Sequence, residues 1–347
     1  MKVDRRSILT AGIAAAAVAL TGCGAGAGAT PNSAGGGSAA AGGEAKQVTL
    51  MLNWYPYGEH APFYYGLEQG IFKKHGINLV IKAGQGSTKT VQAAGQGQTD
   101  FGWADTPAVL ANIDKGVKVK SLGVYLQTTP SAVQVFTESG IKTPADLKGK
   151  TIAVSAGDAP TVTFPIFLKA AGLAQDDVKQ QNLDAAGKIA AVLSGKVDGL
   201  IGFAHDQGPT IADKSGKEMT YLRYADAGVN FYSNGLISSE SYLSKNKELA
   251  TEMMAAVSES FEAAVKDPEA AAKSMDGKDP QIPPAAVVLS QWKETIKLLH
   301  TSATSSKKPG VNDPADWDAT IKTLSGAGLL TAAGDAAKYY DAQYQPK

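Results

Sequence analysis

Short apolar runs alternate with amphipathic segments between residues 48 and 125. Apolar runs bounded by turn residues are typical of strands in a parallel sheet, and segments with helical periodicity between them are typical of the helices that cover it. The predicted strands are Val48–Leu52, Asn78–Lys82, Phe101–Ala104 and Lys118–Tyr125; the predicted helices are Ala61–Gly70, Thr88–Ala94 and the segment opened by Asp105-Thr106-Pro107. This first block therefore has an alternating β-α order.

The alternation starts again after Pro144. The second block has predicted strands at Thr151–Ser155, Val178–Leu183 and Leu200–Phe203, a predicted helix at Thr161–Ala171, and an apolar segment at Ile189–Leu193. Gly97-Gln98-Thr99-Asp100 and Gly195-Lys196-Val197-Asp198 each precede an apolar strand and a turn. This repeated order of elements predicts an α/β fold with two similar lobes, each a mostly parallel sheet flanked by helices.

The last third of the chain is predicted to be helical. Its helices are Lys247–Lys266, Pro283–Leu299 and Asp313–Leu324, and we expect them to pack back on the first lobe. The predicted first lobe comprises residues 47–135 plus 237–347, and the second comprises 136–236, with crossings near Val133–Thr137 and Leu236–Ser238. Open α/β sheets bind ligands beyond the carboxyl ends of their strands, so a cleft between the lobes is the expected site.

The first 46 residues differ in composition from the rest. Residues 1–22 combine Lys2, Arg5 and Arg6 with the apolar stretch Ile8–Leu20, as in a secretory signal peptide. The stretch is too short for a permanent membrane-spanning helix. Residues 23–46 are mainly Gly, Ala and Ser, which cannot bury enough surface to fold, so they predict a flexible tether with a reach of roughly 25 Å.

The end of the signal, Leu20-Thr21-Gly22-Cys23, resembles the lipobox of bacterial lipoproteins, in which the cysteine is acylated. Cys23 is the single cysteine of the chain and is the expected lipid attachment residue. The chain is then expected to be exported and lipid-anchored at the outer face of the cell membrane, or periplasmic. The alternative is a lone thiol in an ordinary signal peptide. Arg5-Arg6-Ser7-Ile8-Leu9 also resembles a twin-arginine export motif, and the export route stays open.

Charge narrows the range of partners. The chain has 33 basic and 33 acidic residues; because the signal holds three basic residues against Asp4, the remainder carries about −2. A nucleic-acid-binding protein would have a strong basic bias, so none is expected to bind. Arg223 is the single arginine beyond the signal. Arginine is the usual residue for planar anions, so its scarcity disfavours a strongly anionic ligand.

The sequence offers no pattern for a metal, a cofactor or a nucleophile. The four histidines, His60, His75, His205 and His300, have no metal-ligand spacing. Gly84-Gln85-Gly86 lacks the third glycine of a dinucleotide fingerprint, and there is no nucleophile elbow. We therefore predict no cofactor, no metal and no catalytic residue, and we expect a monomer.

Candidate binding residues of the first lobe follow its predicted strands. Trp54 and Tyr64 could stack on a flat ring or fill the core. Glu59 suits an amine or a protonated ring, or is solvated. Ser87 marks a helix N-terminus whose amides hold acceptors, and Asp105 serves either a ligand or helix capping. The candidates are Asn53, Trp54, Glu59, His60, Tyr64, Gly86, Ser87, Thr88 and Asp105.

The second lobe and its crossings supply a matching set. The loop from Ser155 to Thr161 has small residues that allow close backbone approach, Phe203 and His205 follow another strand, and Tyr232 lies near the second crossing. A purely structural role is the alternative for each. The candidates are Ser155, Gly157, Asp158, Phe203, His205, Tyr232 and Asn234.

Several stretches, taken in order, resemble the solute-binding proteins of ABC importers, in the branch for nitrate, sulfonate, taurine and thiamine-pyrimidine precursors. They are Leu52-Asn53-Trp54, His60-Ala61-Pro62-Phe63-Tyr64, Gly70-Ile71-Phe72-Lys73-Lys74-His75-Gly76-Ile77, Gly97-Gln98-Thr99-Asp100-Phe101-Gly102, Leu147-Lys148-Gly149-Lys150-Thr151-Ile152, Trp317 and Gly326-Ala327-Gly328-Leu329-Leu330. The resemblance spans nearly the whole chain after the tether. It implies a two-lobed periplasmic-binding-protein clamshell, type II-like, that closes on a small molecule and delivers it to a permease with its ATPase.

The first loop looks most like the thiamine-pyrimidine group, so a flat, nitrogen-containing aromatic ligand is expected. A sulfonate, taurine, nitrate or an aromatic acid is the alternative, and a lipid-anchored sensor is another use of the same fold. The group includes a yeast-type pyrimidine synthase with a reactive histidine at the position of His60, for which a hydrogen-bonding role is the other interpretation. That enzyme carries a cysteine cluster in its second half, which this chain lacks, so no enzymatic activity is expected.

Overall fold

The computed structural model describes residues 45–331 and 334–347. The predicted signal peptide, Cys23 and nearly all of the predicted tether lie outside the described residues. Lys46, placed at the end of the tether by the sequence, is the first residue of the first strand.

The described residues form ten strands and twelve α-helices. The strands are β1 Lys46–Met51, β2 Ile77–Lys82, β3 Phe101–Asp105, β4 Val119–Val124, β5 Ser131–Phe136, β6 Thr151–Val154, β7 Lys179–Asn182, β8 Gly199–Phe203, β9 Met219–Arg223 and β10 Asn234–Ser239. The helices are α1 Ala61–Glu68, α2 Ile71–Lys74, α3 Ser87–Gly95, α4 Thr106–Asp114, α5 Ala159–Ala170, α6 Ala185–Leu193, α7 Gln207–Ser215, α8 Glu240–Lys245, α9 Lys247–Lys266, α10 Pro268–Lys273, α11 Ala285–Ile296 and α12 Pro314–Gly326.

The strands form two five-stranded sheets with corresponding topologies. The first sheet has the order β2-β1-β3-β10-β4, and the second has the order β7-β6-β8-β5-β9. In each sheet one strand, β10 or β5, runs antiparallel to both of its neighbours, and the other pairs are parallel. The prediction of two α/β units, each with a mostly parallel sheet flanked by helices, is confirmed.

The crossings between the sheets lie earlier in the chain than the sequence suggested. β5 pairs with β8 and β9, so residues 131–135 belong to the second sheet rather than to the predicted first lobe. β10 is paired in the first sheet from Asn234 onward, ahead of the predicted return at 237. The cause is that both crossing segments continue directly into antiparallel strands. The chain passes between the sheets at 125–130 and 224–233, and the division into lobes that move against each other stays a prediction.

Separate apolar layers cover the faces of the sheets. On one face of the first sheet, α1, α9 and α11 bury Phe63, Phe261 and Trp292 together with Val48 and Leu50 of β1. The late helices therefore pack on the first sheet, as their position predicted. The other face of the first sheet packs in a second apolar cluster, which also covers one face of the second sheet. Helices α6 and α7 cover the remaining face of the second sheet.

Helices that begin where strands end bring their N-termini to one edge of each sheet. Pro107 occupies the first turn of α4 directly after β3, where the missing N–H costs nothing. In the second sheet, Asp158 caps α5 by accepting a hydrogen bond from the Thr161 backbone N–H at 2.9 Å. These local signals place the strand-end loops of both sheets around a common cleft.

Candidate functional site

The loops at the carboxyl ends of the parallel strands meet in a small cavity between the sheets. Its volume, measured as the space open to the centre of a water molecule, is about 20 Å3, which is room for about one water. A flat ring can therefore enter only when the two sheets move apart. The lining residues are Asn53, Trp54, Tyr57, Gly86, Ser87, Asp158, Ala159, Pro160, Gly202, Phe203, Asp206 and Gln207.

Aromatic side chains form the walls of this cleft. Trp54, Tyr55 and Tyr57 of the loop after β1 pack with Ala159 and Phe203 of the second sheet's loops in one apolar cluster. Trp54 is 8% exposed, and its indole N–H has no acceptor among the described residues. A buried indole usually finds a partner for its N–H, so the unpaired donor is suited to a ligand atom.

His60 holds the first loop in shape. Its Nδ1 accepts a hydrogen bond from the Tyr57 backbone N–H at 3.3 Å, which leaves Nε2 to donate to Asn53 Oδ1 at 2.8 Å. Burial lowers the pKa of His60 to about 4, so the ring is neutral at physiological pH. His60 therefore orients Asn53, which lines the cavity, and the hydrogen-bonding interpretation of this histidine fits its surroundings.

Glu59 is the hub of a buried hydrogen-bond network. Its carboxylate accepts from Trp103 Nε1 at 2.5 Å, Asn234 Nδ2 at 2.6 Å, Tyr57 Oη at 2.5 Å and His205 Nε2 at 2.9 Å. Burial acts to raise the pKa of Glu59, but the hydrogen bonds from His205 and Tyr57 outweigh it, so the pKa lies below its ordinary value of 4.5. The saturated carboxylate is ionised at neutral pH and organises four other side chains.

In two further carboxyl groups of the cleft, hydrogen bonds do not outweigh the effect of burial, so the pKa is raised. Burial raises the pKa of Asp105 to about 8, against the hydrogen bond that Ser233 Oγ donates to Oδ1 at 2.5 Å. Burial likewise raises the pKa of Asp206 to about 7, although Tyr55 Oη donates to it at 3.0 Å. Both groups stand out as acidic side chains of the cleft without a cation in contact.

Lys188, on α6, is a fully buried cation that lies beneath the cleft on the side of the second sheet. Its Nζ donates to Asp158 Oδ2 at 2.9 Å and to the Ile201 carbonyl at 2.8 Å. The same ammonium lies 5.2 Å from the centroid of the Trp54 ring, within the range of a cation–π interaction. Lys188 thus neutralises Asp158 and supports the indole that lines the cavity.

Direct contacts between the loops hold the cleft shut. His205 reaches Glu59, Tyr55 reaches Asp206, and the Thr88 backbone N–H donates to the Gly157 carbonyl at 3.2 Å. Gly86 has a φ of 111° and Gly157 a φ of 80°, and a Cβ on Gly86 would lie 3.1 Å from that same carbonyl. The two glycines therefore allow the backbones of the two sides to approach closely.

The structure brings together most of the residues predicted for the site. Six line the cavity, namely Asn53, Trp54, Gly86, Ser87, Asp158 and Phe203. Glu59, His60, Asp105, His205 and Asn234 are linked by hydrogen bonds to residues of the lining or of the Glu59 network. Thr88 and Gly157 form the contact at the closed edge. Ser155 faces a separate outer groove, and its hydroxyl donates to the Leu183 carbonyl.

Two predicted site residues lie elsewhere. Tyr64 packs against the first apolar core and lines an outer groove with Pro56 and Leu67, because the turn of α1 directs it away from the cleft. Tyr232 is packed edge-on against Trp317, and its hydroxyl contacts Asp316 at 3.3 Å. Neither side chain lines the cavity in this structure, and their assignment to the site stays a prediction.

Sequence reasoning missed several residues that shape the site. Trp103 and Gln291 were not considered; Gln291 bridges the loops, since its Oε1 accepts from the Gly58 N–H and its Nε2 donates to the Asp206 carbonyl. Lys188 had a detectable signal, because it is a lone lysine on the face of α6 that also buries Ala191 and Val192. Gln207, which lines the cavity, follows His205 and Asp206 directly and could have been added to them.

Two mixed α/β sheets joined by two crossings, with an aromatic and polar cleft where their strands end, define the two-lobed fold of a binding protein. Residues 58–271 match the family described as NMT1/THI5 like, and the chain belongs to this family. The predicted membership among ABC-importer solute-binding proteins, the clamshell fold class and the general solute-binding role are confirmed.

Three curated relatives illustrate the range of the family. A formylaminopyrimidine-binding protein from Halalkalibacterium halodurans is 24% identical over 283 residues, 80% of this chain and 84% of the relative. Riboflavin-binding protein RibY from Chloroflexus aurantiacus is 25% identical over 309 residues, 87% of this chain and 86% of the relative. A 4-amino-5-hydroxymethyl-2-methylpyrimidine phosphate synthase from Aspergillus parasiticus is 24% identical over 236 residues, 65% and 68% of the two chains.

Among solved structures, the periplasmic aliphatic sulphonate binding protein SsuA from Escherichia coli has a TM-score of 0.63 at 19% identity. The match covers 87% of this chain and 92% of that one, and it shows the fold alone. Within residues 45–331 and 334–347, none of the helices has the length and apolar character needed to cross a membrane. The same residues contain no cluster of three or more His, Cys, Asp or Glu side chains arranged for a metal ion.

Proposed function

We propose that this protein captures a small, flat, nitrogen-containing aromatic solute outside the cytoplasm and delivers it to an ABC permease. Closure of the two lobes on the solute would produce the form of the protein that the permease recognises. A ligand that contacts both lobes favours this closed state. The observation that carries the proposal is the cleft between the sheets, where Trp54, Tyr57 and Phe203 surround a small polar cavity. The pyrimidine-binding relative supports the same class of ligand.

The charges in the cleft argue against an anionic solute. Glu59, Asp105 and Asp206 are buried carboxyl groups, whereas Arg223 lies on β9, 5.5 Å from the Tyr221 ring and outside the cavity lining. Lys188 is already engaged by Asp158. The residues that line the cavity include no lysine or arginine to pair with a sulfonate, a nitrate or a carboxylate, so these anions are less suitable ligands than an uncharged ring with hydrogen-bond donors.

Binding rather than catalysis is the proposed activity. In the related synthase family the enzyme interpretation depended on a reactive histidine, but His60 is fully buried and both of its ring nitrogens are occupied by Tyr57 and Asn53. A pyrimidine product formed by the purified protein with pyridoxal phosphate and iron would contradict this proposal.

A thermal-shift screen tests the ligand class. The purified protein would be heated with pyrimidines, thiamine, riboflavin, taurine, alkanesulfonates and aromatic acids, since a ligand that binds only the folded state raises Tm by mass action. We expect the largest shift from an aminopyrimidine. A shift confined to taurine, alkanesulfonates or aromatic acids would contradict the proposed ligand class.

Trp54→Ala is expected to weaken binding of the solute identified in this way by about 1–3 kcal/mol, because an aromatic platform contributes about that much to stacking on a base. Isothermal titration calorimetry measures the change. Tyr64→Ala is the matched control, since this aromatic residue lies in the outer groove and its loss should leave affinity unchanged. Equal affinities of the wild type and a folded Trp54→Ala variant would place the indole in a purely structural role.

We also propose that the folded part is lipid-anchored through Cys23. Cys23→Ala is expected to release the protein from membranes, because the acylated cysteine would be its only lipid attachment. Cell fractionation and immunoblotting follow the distribution. Thr21→Ala, at the variable position of the lipobox-like run, is the control and should remain with the membranes. Continued sedimentation of the Cys23→Ala protein with membranes would argue against the lipobox interpretation.

A further inference from the structure

Asp206 is an acidic side chain on the wall of the cavity, in the loop after β8. It is 2% exposed, and Tyr55 Oη, in the loop after β1, donates to its Oδ1 at 3.0 Å. Asp206 therefore belongs both to the lining of the cavity and to the contacts between the sheets that hold the cleft shut. Any movement that parts the two loops would bring water to this carboxyl group.

The groups that face Asp206 from the first sheet do not neutralise it. The Tyr55 hydroxyl is an uncharged donor, and the negative charge of Glu59 acts to raise the pKa of Asp206. His205, the neighbour of Asp206 in the chain, pairs with Glu59 instead. Helix α11 supplies the uncharged Gln291, whose amide donates to the Asp206 backbone carbonyl at 3.0 Å.

On the side of the second sheet, the cation that acts on Asp206 is already paired. The Lys188 ammonium of α6 lowers the pKa of Asp206 through space, but it donates to Asp158 at 2.9 Å. Among the described residues, no ion pair includes Asp206. Burial outweighs the hydrogen bond from Tyr55 and the attraction of Lys188, so the pKa of Asp206 rises to about 7.

A neutral Asp206 would leave the cavity lining without net charge. Asp158 and Asp206 are the two acidic residues of the lining, and the other lining residues are uncharged. Lys188 balances Asp158. Because Asp206 Oδ1 accepts from Tyr55, the proton of the neutral group belongs on Oδ2, and the side chain can then donate a hydrogen bond as well as accept one. Such a lining suits an uncharged ring.

We propose that Asp206 meets the solute as a neutral carboxylic acid, and that closure of the two lobes takes up the proton that this acid carries. The inference rests on the proposed solute-binding function and adds a protonation step to it. When the loops part, Asp206 loses Tyr55 and gains water, so its pKa falls back toward the ordinary 3.8 and the proton returns to the solvent.

The direction of the pH effect follows from this difference between the two forms. The closed form holds the proton at a pH at which the open form has released it. Closure is therefore favoured as the pH falls through about 7, and this contribution is lost as the pH rises above that value. Capture of the solute should strengthen in mildly acidic surroundings and weaken in alkaline ones.

Isothermal titration calorimetry with riboflavin and uracil, two rings that stay uncharged between pH 6 and pH 8, measures the linkage. A carboxyl that titrates near 7 in the closed form and near 3.8 in the open form predicts about tenfold tighter binding at pH 6 than at pH 8. It also predicts uptake of about 0.9 proton per solute at pH 6, read from buffers that differ in ionisation enthalpy.

Asp206→Asn keeps the shape of the side chain but cannot take up the proton. Whatever its affinity, this variant is expected to bind without proton uptake and with nearly the same affinity at both pH values. Asp213→Asn is the matched control, because Asp213 is an exposed carboxyl group on α7, the helix that follows Asp206. It should keep the wild-type proton uptake and pH dependence.

A crosslink that holds the cleft shut tests the protonation without any solute. A Cβ on Gly157 would lie 3.4 Å from Thr88 Cβ, close to the separation of about 3.8 Å in disulfides. Thr88→Cys with Gly157→Cys, in the full chain carrying Cys23→Ala, should therefore lock the loops together on oxidation. Carbon-13 NMR of labelled aspartate carboxyl groups follows Asp206, whose signal is the one missing from Asp206→Asn. We expect it to titrate near pH 7 in the oxidised protein and at lower pH in the reduced protein.

The two measurements separate this inference from the function on which it rests. Equal proton uptake by the wild type and Asp206→Asn, pH-independent binding by the wild type, or the same Asp206 titration in the oxidised and reduced proteins would overturn the protonation step. If neither riboflavin nor uracil binds, the proposed ligand class loses support, and the crosslinked protein still decides whether closure protonates Asp206. The calorimetry of the wild type needs no variant and stands even if the crosslink does not form.

Discussion

Glu59→Gln is expected to lower the free energy of unfolding by about 2–6 kcal/mol, because the buried donors of Tyr57 and His205 would each lose their acceptor at a cost of about 1–3 kcal/mol. Glu59 is fully buried and accepts four hydrogen bonds. Glutamine has the same shape but one acceptor oxygen, which must face the N–H donors of Trp103 and Asn234. Its amide would then point at Tyr57 and His205, and the contact that ties the two sheets through His205 would lose its charge.

The effect of Glu59→Gln should depend on pH in a defined direction. The folded protein holds the pKa of Glu59 below its ordinary value of 4.5. The stability that the carboxylate contributes is therefore fully present above about 4.5 and is lost as the pH falls through the lower, folded-state pKa. The difference between the wild type and the variant should be largest near neutral pH and should shrink in acid.

Urea unfolding at several pH values, followed by far-ultraviolet circular dichroism, measures this difference. Glu259→Gln is the control, because Glu259 forms surface contacts with Lys74 and His75, and exposed pairs contribute little. If Glu59→Gln unfolds at the same urea concentration as the wild type and the control at neutral pH, Glu59 is not the hub that the geometry indicates.

Lys188→Met should have a comparably large effect, a loss of about 3–5 kcal/mol in the free energy of unfolding. The substitution keeps the length of the side chain and its apolar stem, but it leaves the Asp158 carboxylate buried without its cation at 2.9 Å. It also removes the ammonium that lies against the Trp54 ring. We therefore expect reduced stability together with weaker solute binding.

A double-mutant cycle with Asp158→Asn isolates the ion pair. Asparagine can still cap α5 through the oxygen that accepts from Thr161, so the double variant should recover at least ~2 kcal/mol relative to Lys188→Met alone. Lys196→Met, on the exposed surface after α6, is the control for the loss of a lysine. Strictly additive effects in the cycle would show that the pair contributes no coupling energy.

The parallel parts of the fold were predictable because each of their strands is followed by a helix. At each junction a short apolar run gives way to a segment with a helical period of about 3.6, and this change carries most of the signal. The bounds of α9 coincide with the predicted Lys247–Lys266. β5, β9 and β10 were not assigned as strands. No helix follows β5 directly, and its neighbours in the sheet lie far away in the sequence.

The site was less predictable than the fold because sequence position does not give side-chain direction. Trp54 lies in the loop after β1 and Tyr64 on the helix that follows it, α1, yet one lines the cavity and the other an outer groove. β3 is buried on both faces, so no alternation distinguished Trp103, which contacts Glu59, from its neighbours. The pairing that matters most, His205 with Glu59, joins residues 146 positions apart and depends on the arrangement of both sheets.

The position of β10 between β3 and β4 constrains the order in which the protein can be assembled. About 110 residues separate the end of β4 from the start of β10, and the whole second sheet is encoded between them. A chain that emerges amino end first presents the facing edges of β3 and β4 without a partner until β10 arrives. Such long-range pairing is slow, and open strand edges invite aggregation. The first sheet thus starts earlier in the chain than the second but is completed later, and a newly synthesised polypeptide exposes those strand edges until β10 has emerged.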